Sequence, residues 1–235
     1  MKNSFFIDVH SHLKSESPDI IVIFNGLDYH SNFEVLEQAD NRTTFCSMGI
    51  HPTVNFDERV IEQIKENKKK IIAVGEIGLD YLKCYLSTRH KDDMKREFKI
   101  MLELAEQIKK PVIVHSRMAR MRVLEMVKEL KVPVILHSFL GSRKEIDEAL
   151  KSKCCVSISP SVFRHNEMKE IAEKFPIERI FCETDAPYIG KTNEEIKKVY
   201  GEVAKIRNIS VEELQKQIIR NFERVFKVKI TRGTS

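Results

Sequence analysis

The chain has 235 residues, room for one large domain or two small ones, and 42% of them are hydrophobic, enough for a sizeable core. No apolar run approaches the ~18 residues of a spanning helix, and the N-terminus turns acidic at Asp8 before a signal core could form; neither a membrane protein nor a secretory address is expected. Only 8 glycines argue against disorder and Gly-rich all-β folds, and a net charge of +5, from 40 basic and 35 acidic residues, is too mild to name a partner.

Short β-branched runs predict strands at Phe5 to Val9, Ile20 to Phe24, Thr44 to Gly49 and Ile71 to Glu76. Helical spacing follows at Phe98, Met101, Leu102, Ala105 and Ile108, with lysines and glutamates on the other face. Further strands are predicted at Val112 to His115, Val134 to His137, Cys155 to Ser159 and Ile180 to Thr184, with Pro111 and Pro133 ending the helices before two of them. Two closing helices are expected, from Asn193 to Arg207 and from Val211 to Phe226. Ser210 caps the second, with Glu213 three residues on.

Strands alternating with helices predict an α/β protein, and eight strands predict a TIM-type (β/α)8 barrel, here as a single domain over residues 1–235. Such barrels typically take about 250 residues. Part of the shortfall lies at Leu13 to Asp19, where seven residues join His12 to Ile20. A crossover with its helix takes at least ~10 to 12 residues, so the first crossover helix is expected to be missing, leaving the wall thinly covered beside the first strand. The five cysteines form no CxxC pair and are odd in number, which reads as buried, reduced thiols of a cytoplasmic protein.

The functional end of a parallel barrel is its C-terminal face. His10, His12, His115, His137, Glu76 and Asp185 all stand at predicted strand ends. In an extended segment residues i and i+2 point the same way, so His10 and His12 can chelate one ion, although an isolated pair of this kind is as readily hydrogen-bonded or superficial. His115 and His137 close two strands of nearly the same sequence, and Glu76 ends an apolar strand where a carboxylate needs a partner or a metal. Four imidazoles and two carboxylates suffice for two divalent cations sharing a carboxylate.

The segments Asp8-Val-His-Ser-His-Leu, Met48-Gly-Ile-His-Pro, Gly75-Glu-Ile-Gly-Leu-Asp-Tyr, Pro111-Val-Ile-Val-His-Ser-Arg, His137-Ser-Phe-Leu-Gly-Ser and Glu183-Thr-Asp-Ala-Pro-Tyr together resemble the TatD family of metal-dependent deoxyribonucleases, within the amidohydrolase-like barrels. The resemblance implies that His10 and His12 bind one metal with Asp185, that Glu76 bridges, and that His115 and His137 bind the second. It implies a hydrolase that cleaves phosphodiester bonds of DNA with a two-metal-activated water, for which Asp185 is the expected proton acceptor. His and carboxylate ligands suit zinc, manganese or, less comfortably, magnesium. His51 and Arg117 are expected to donate to phosphate, and Asp8 and Glu183 to orient imidazoles. Asp80 and Tyr81 fit the family motif without an assigned role, while His30, His90 and His165 read as ordinary loop residues.

Lys83, Arg89, Lys91, Arg117, Arg120, Arg122, Arg143, Lys144, Arg164 and Lys191 fall on loops and helix starts of that face, a basic rim suited to DNA. Two other readings stand beside this one. The first is a hydrolase of the same scaffold acting on an ester, amide or aminoacyl-tRNA bond, and the second is a silent binding module. Glu76 at the bridge, where some amidohydrolases carry a carbamylated lysine, favours the TatD reading over the first, and the full ligand set argues against the second. The oligomeric state is left open.

Overall fold

The structure is a computed structural model and describes residues 5–230. Eight parallel strands follow one another around a single sheet in sequence order: β1 (Phe6–Ser11), β2 (Ile20–Asn25), β3 (Thr44–Met48), β4 (Ile71–Gly78), β5 (Val112–His115), β6 (Val134–Leu136), β7 (Cys155–Ile158) and β8 (Ile180–Cys182). The strands are buried almost throughout, as parallel strands covered on both faces must be. The two ends of the sheet meet just beyond the strands. There the Asp185 N–H donates to the His10 carbonyl at 2.9 Å and the His12 N–H to the Ala186 carbonyl at 2.7 Å.

Nine α-helices lie among the described residues: α1 (Tyr29–Gln38), α2 (Arg59–Asn67), α3 (Lys83–Leu86), α4 (Lys91–Ile108), α5 (Arg120–Val127), α6 (Arg143–Lys151), α7 (Asn166–Lys174), α8 (Ile196–Arg207) and α9 (Val211–Phe226). Their starts follow local chemistry. Asp28 with Ser31, Ser142 with Glu145 and Ser210 with Glu213 each close a capping box, satisfying backbone donors that a first turn leaves open. Helix α4 buries Met94, Phe98, Met101, Leu102, Leu104 and Ala105 against the barrel, each large side chain contributing about 1.5 to 3 kcal/mol.

The barrel expected from the sequence is present, and the first crossover holds no helix. Leu13 to Asp19 form an irregular loop, pinned where the Ser15 hydroxyl donates to the Ile20 carbonyl at 2.7 Å and the Ser15 N–H to Thr44 Oγ1 at 3.3 Å. Beside it lies a cavity of about 400 Å³ bounded by His12, Leu13, Phe24, Gln38 and Asn193. Several expected boundaries move by a residue or two. β6 ends at Leu136, leaving His137 just past the paired backbone, and Asn193–Glu195 make a 3-10 turn ahead of α8. No helix among the described residues is long and apolar enough to cross a membrane.

Candidate metal centre

β4 is the longest strand, and its inward positions Glu76 and Gly78 continue by alternation to Asp80. Two glycines let neighbouring backbones close around it. A Cβ on Gly49 would meet the Glu76 carbonyl oxygen at 2.6 Å, and one on Gly78, whose φ is 148°, would meet the His115 oxygen at 2.0 Å. Glu76 is thereby held, almost fully buried, on the barrel axis.

Five imidazoles converge on this one carboxylate. Oε2 faces His10 Nε2 at 3.3 Å and His12 Nε2 at 3.4 Å, and Asp185 Oδ1 stands 3.6 Å from both nitrogens. Oε1 faces His115 Nδ1 at 2.8 Å, His137 Nε2 at 3.1 Å and His51 Nε2 at 3.5 Å. The two oxygens thus address two separate sets of nitrogens, one supplied by β1 and the turn after β8, the other by β5, β6 and the loop after β3. Asp185 takes its place through a left-handed backbone at φ 48°, uncommon away from glycine and often found at functional positions.

Hydrogen bonds on the far side of each ring set its tautomer. His12 Nδ1 lies 2.9 Å from the Asn25 carbonyl, an acceptor only, so Nδ1 carries the proton and Nε2 is left with its lone pair. His115 donates Nε2–H to Asp80 at 2.9 Å and turns Nδ1 to Glu76; His137 donates Nδ1–H to Glu183 at 3.3 Å and turns Nε2 to the same place. The Ser157 hydroxyl holds Glu183 at 2.5 Å. Both nitrogens of the fully buried His10 lack a hydrogen-bond partner, a cost that a cation at Nε2 would remove. His51 differs: its Nδ1 accepts from the Thr53 N–H at 3.3 Å, leaving the proton on Nε2 and making that nitrogen a donor.

The electrostatics match. Burial works against the charge on Glu76, but His51, His137 and His10 outweigh it and hold the carboxyl well below its usual range. Burial pushes His10 down to about 4 and Asp185 up to about 7. For His137 burial is overcome by Glu76 and Glu183, which hold the ring well above the ordinary histidine value. A centre that draws protons onto its ligands is one in which cations can take their place. The triads His10, His12 and Asp185; His10, Glu76 and His137; and His51, Glu76 and His115 each bring ligand atoms within 4.8 Å of one another, close enough to hold an ion.

The structure therefore brings together His10, His12, Glu76, His115, His137 and Asp185, and adds His51 to the same cluster. Arg117 lies one layer out, its Nε and Nη2 on Asp80 Oδ2 at 2.8 and 2.6 Å, with part of its side chain open to solvent. Asp80, which sequence reasoning left without a role, orients both His115 and Arg117; its inward parity with Glu76 was the available signal. Glu183 orients an imidazole, whereas Asp8 instead accepts from the Thr184 N–H at 2.9 Å and hydroxyl at 2.6 Å, fastening β8 to β1. Arg89 leaves the rim: it is buried against Glu97 and the Val54 carbonyl. His30, His90 and His165 are exposed and outside the cluster.

Residues 7–227 match the model of the TatD-related DNase family. This chain belongs to that family. It is 29% identical over 255 residues to an uncharacterized metal-dependent hydrolase of Methanocaldococcus jannaschii, covering 98% of this chain and 100% of that protein. It is 25% identical over 259 residues to the human deoxyribonuclease TATDN3, covering 94% of each. The crystal structure of YJJV, a TatD homologue from Escherichia coli, superposes with a TM-score of 0.86 at 21% identity, over 97% of this chain and 100% of that one, a likeness of fold. The protein is accordingly a metal-dependent hydrolase of the TatD type.

Proposed function

We propose that this single-domain hydrolase holds two divalent cations and cleaves phosphodiester bonds in DNA. The observation that carries the reading is the division of Glu76, with one oxygen toward His10, His12 and Asp185 and the other toward His115 and His137. In this assignment those residues are the ligands and Glu76 is shared; zinc or manganese suits the donor set better than magnesium. Bound there, the cations supply a water acidic enough to ionise near neutral pH and positive charge for the phosphate.

The chain's own groups do the rest. Glu183 and Asp80 fix the rings that face Glu76. Asp185, at the solvent side of the cluster, accepts the proton of the attacking water. His51, protonated on Nε2, donates to a phosphate oxygen. Arg117 keeps an exposed portion beside Asp80 and adds charge there. DNA is supported as substrate by the deoxyribonuclease name of the human relative and by the exposed rim cations Lys83, Arg143, Arg164 and Lys191. The five unpaired cysteines fit a reducing, cytoplasmic setting.

The test is metal-reconstituted protein assayed on single-stranded and double-stranded DNA beside a carboxylic ester, with a His10→Ala/His12→Ala double variant as the control. DNA cleavage that the double variant loses is expected, as is loss of turnover in a folded Asp185→Asn variant. Ester hydrolysis without DNA cleavage would move the protein to the carbonyl-directed reading, and an active Asp185→Asn variant would remove that aspartate as proton acceptor.

A further inference from the structure

Four large hydrophobic side chains are exposed among the described residues, and three of them sit on segments that follow strands at the end of the barrel carrying the metal centre. Met118 follows β5, Phe163 follows β7 and Tyr188 follows β8, with exposures of 61%, 45% and 67%. Single exposed hydrophobics need no explanation, but a set gathered around one site does. Each also has a basic neighbour in sequence: Arg117 before Met118, Arg164 after Phe163, and Lys191 three residues after Tyr188. Arg164 and Lys191 are exposed and enter no ion pair among the described residues.

The two aromatic rings are carried on ordered turns. Phe163 ends a 3-10 turn (Pro160–Phe163) capped by the Ser159 side chain, which accepts from the Ser161 N–H. The Tyr188 and Ile189 N–H groups donate to the Asp185 carbonyl at 2.8 and 2.9 Å, so the ring is tied to a residue of the centre itself. Its position is set against His12, edge to face at 5.0 Å between centroids and 76° between planes, and two-thirds of the residue stays open.

We propose that Tyr188 and Phe163 are stacking platforms for unpaired nucleobases, with Arg164 and Lys191 taking the adjoining phosphates, so that the enzyme acts on DNA whose bases are not paired at the cleavage site. The inference rests on the DNA-cleavage reading and deepens it. Aromatic faces interleaved with free cations are how proteins hold single strands irrespective of sequence, because every base has a π-face and every nucleotide a phosphate. In a duplex the base faces are already stacked on each other and cannot reach the platforms. Turns that hold the rings before binding lower the ordering cost of the complex.

The experiment compares the metal-loaded wild type with Tyr188→Ala, Phe163→Ala, Tyr188→Phe and, as an exposed aromatic within a helix body, Phe33→Ala. The probe is a phosphorothioate oligothymidylate carrying one 2-aminopurine, read by fluorescence quenching on stacking and by Kd, beside the same strand annealed to its complement. Metal content is measured for every variant. Expected are Kd increases of about tenfold on the single strand for each alanine at 188 and 163, loss of the quenching, restoration by Tyr188→Phe, and no change with Phe33→Ala or on the duplex. Equal losses on both forms, or wild-type binding and quenching in the alanine variants, would overturn the stacking role while leaving DNA cleavage standing. A wild type that neither binds nor cleaves DNA of either form would overturn the substrate reading and this inference with it.

Discussion

Replacing Glu76 by Gln keeps the shape of the group at the centre and removes its charge. In the metal-free protein that charge sits 2.8 to 3.5 Å from five imidazole nitrogens, with His137 held protonated by Glu76 and Glu183. Breaking a buried pair from one side costs about 3 to 5 kcal/mol; imidazoles can shed their proton, so the lower figure applies. For a chain of this length that is a fall in melting temperature of roughly 6 to 12 °C. The more telling comparison is on adding metal. At a hundred times Kd a bound cation stabilises the wild type by about 2.7 kcal/mol, some 5 to 11 °C. Both halves of the cluster lose a ligand in Glu76→Gln, so its melting temperature should stay nearly flat with zinc or manganese. Differential scanning calorimetry with elemental analysis measures both quantities. A variant that binds two cations per chain and gains wild-type stability from them would refute the placement of Glu76 at the bridge.

Other outcomes follow from the same geometry. Asp80→Asn should leave the fold intact and weaken metal binding ten- to a hundred-fold, roughly 1.4 to 2.8 kcal/mol, because His115 loses the carboxylate that orients it; competition with a chelating dye measures it. Gly78→Ala should lower stability by more than ~1 kcal/mol, since φ is 148° there and the methyl would press on the His115 carbonyl; denaturant melts read the loss. Burial opposes the charge on Asp40, but the N–H groups of Arg42, Thr43 and Thr44 and the Thr43 hydroxyl outweigh it and hold its carboxyl below the usual range. That stabilisation is complete above the unfolded value near about 3.9 and is lost as pH falls through the lower folded value. Thermal melts in acid should therefore decline less steeply for Asp40→Asn.

Much of this protein could be read from its sequence, for reasons that are local. Eight β-branched runs with helical spacing between them define the barrel, because periodicity follows from which face each residue buries. The missing helix was legible as chain length, since seven residues cannot make the crossover. The six residues of the centre were legible because an apolar strand that ends on an imidazole or a carboxylate declares an unmet need at a known end of a known fold. Tertiary structure decided what depends on distance between segments remote in sequence. His51 joins the cluster only because β3 lies against β4, and its proton is placed by Thr53 rather than by any pattern of spacing. Asp80 acquires its partners from β5 and the loop after it, and Arg89, on a rim by sequence, is drawn inward by Glu97. The alternation along a strand states which way a side chain points; only the closed barrel states what it meets.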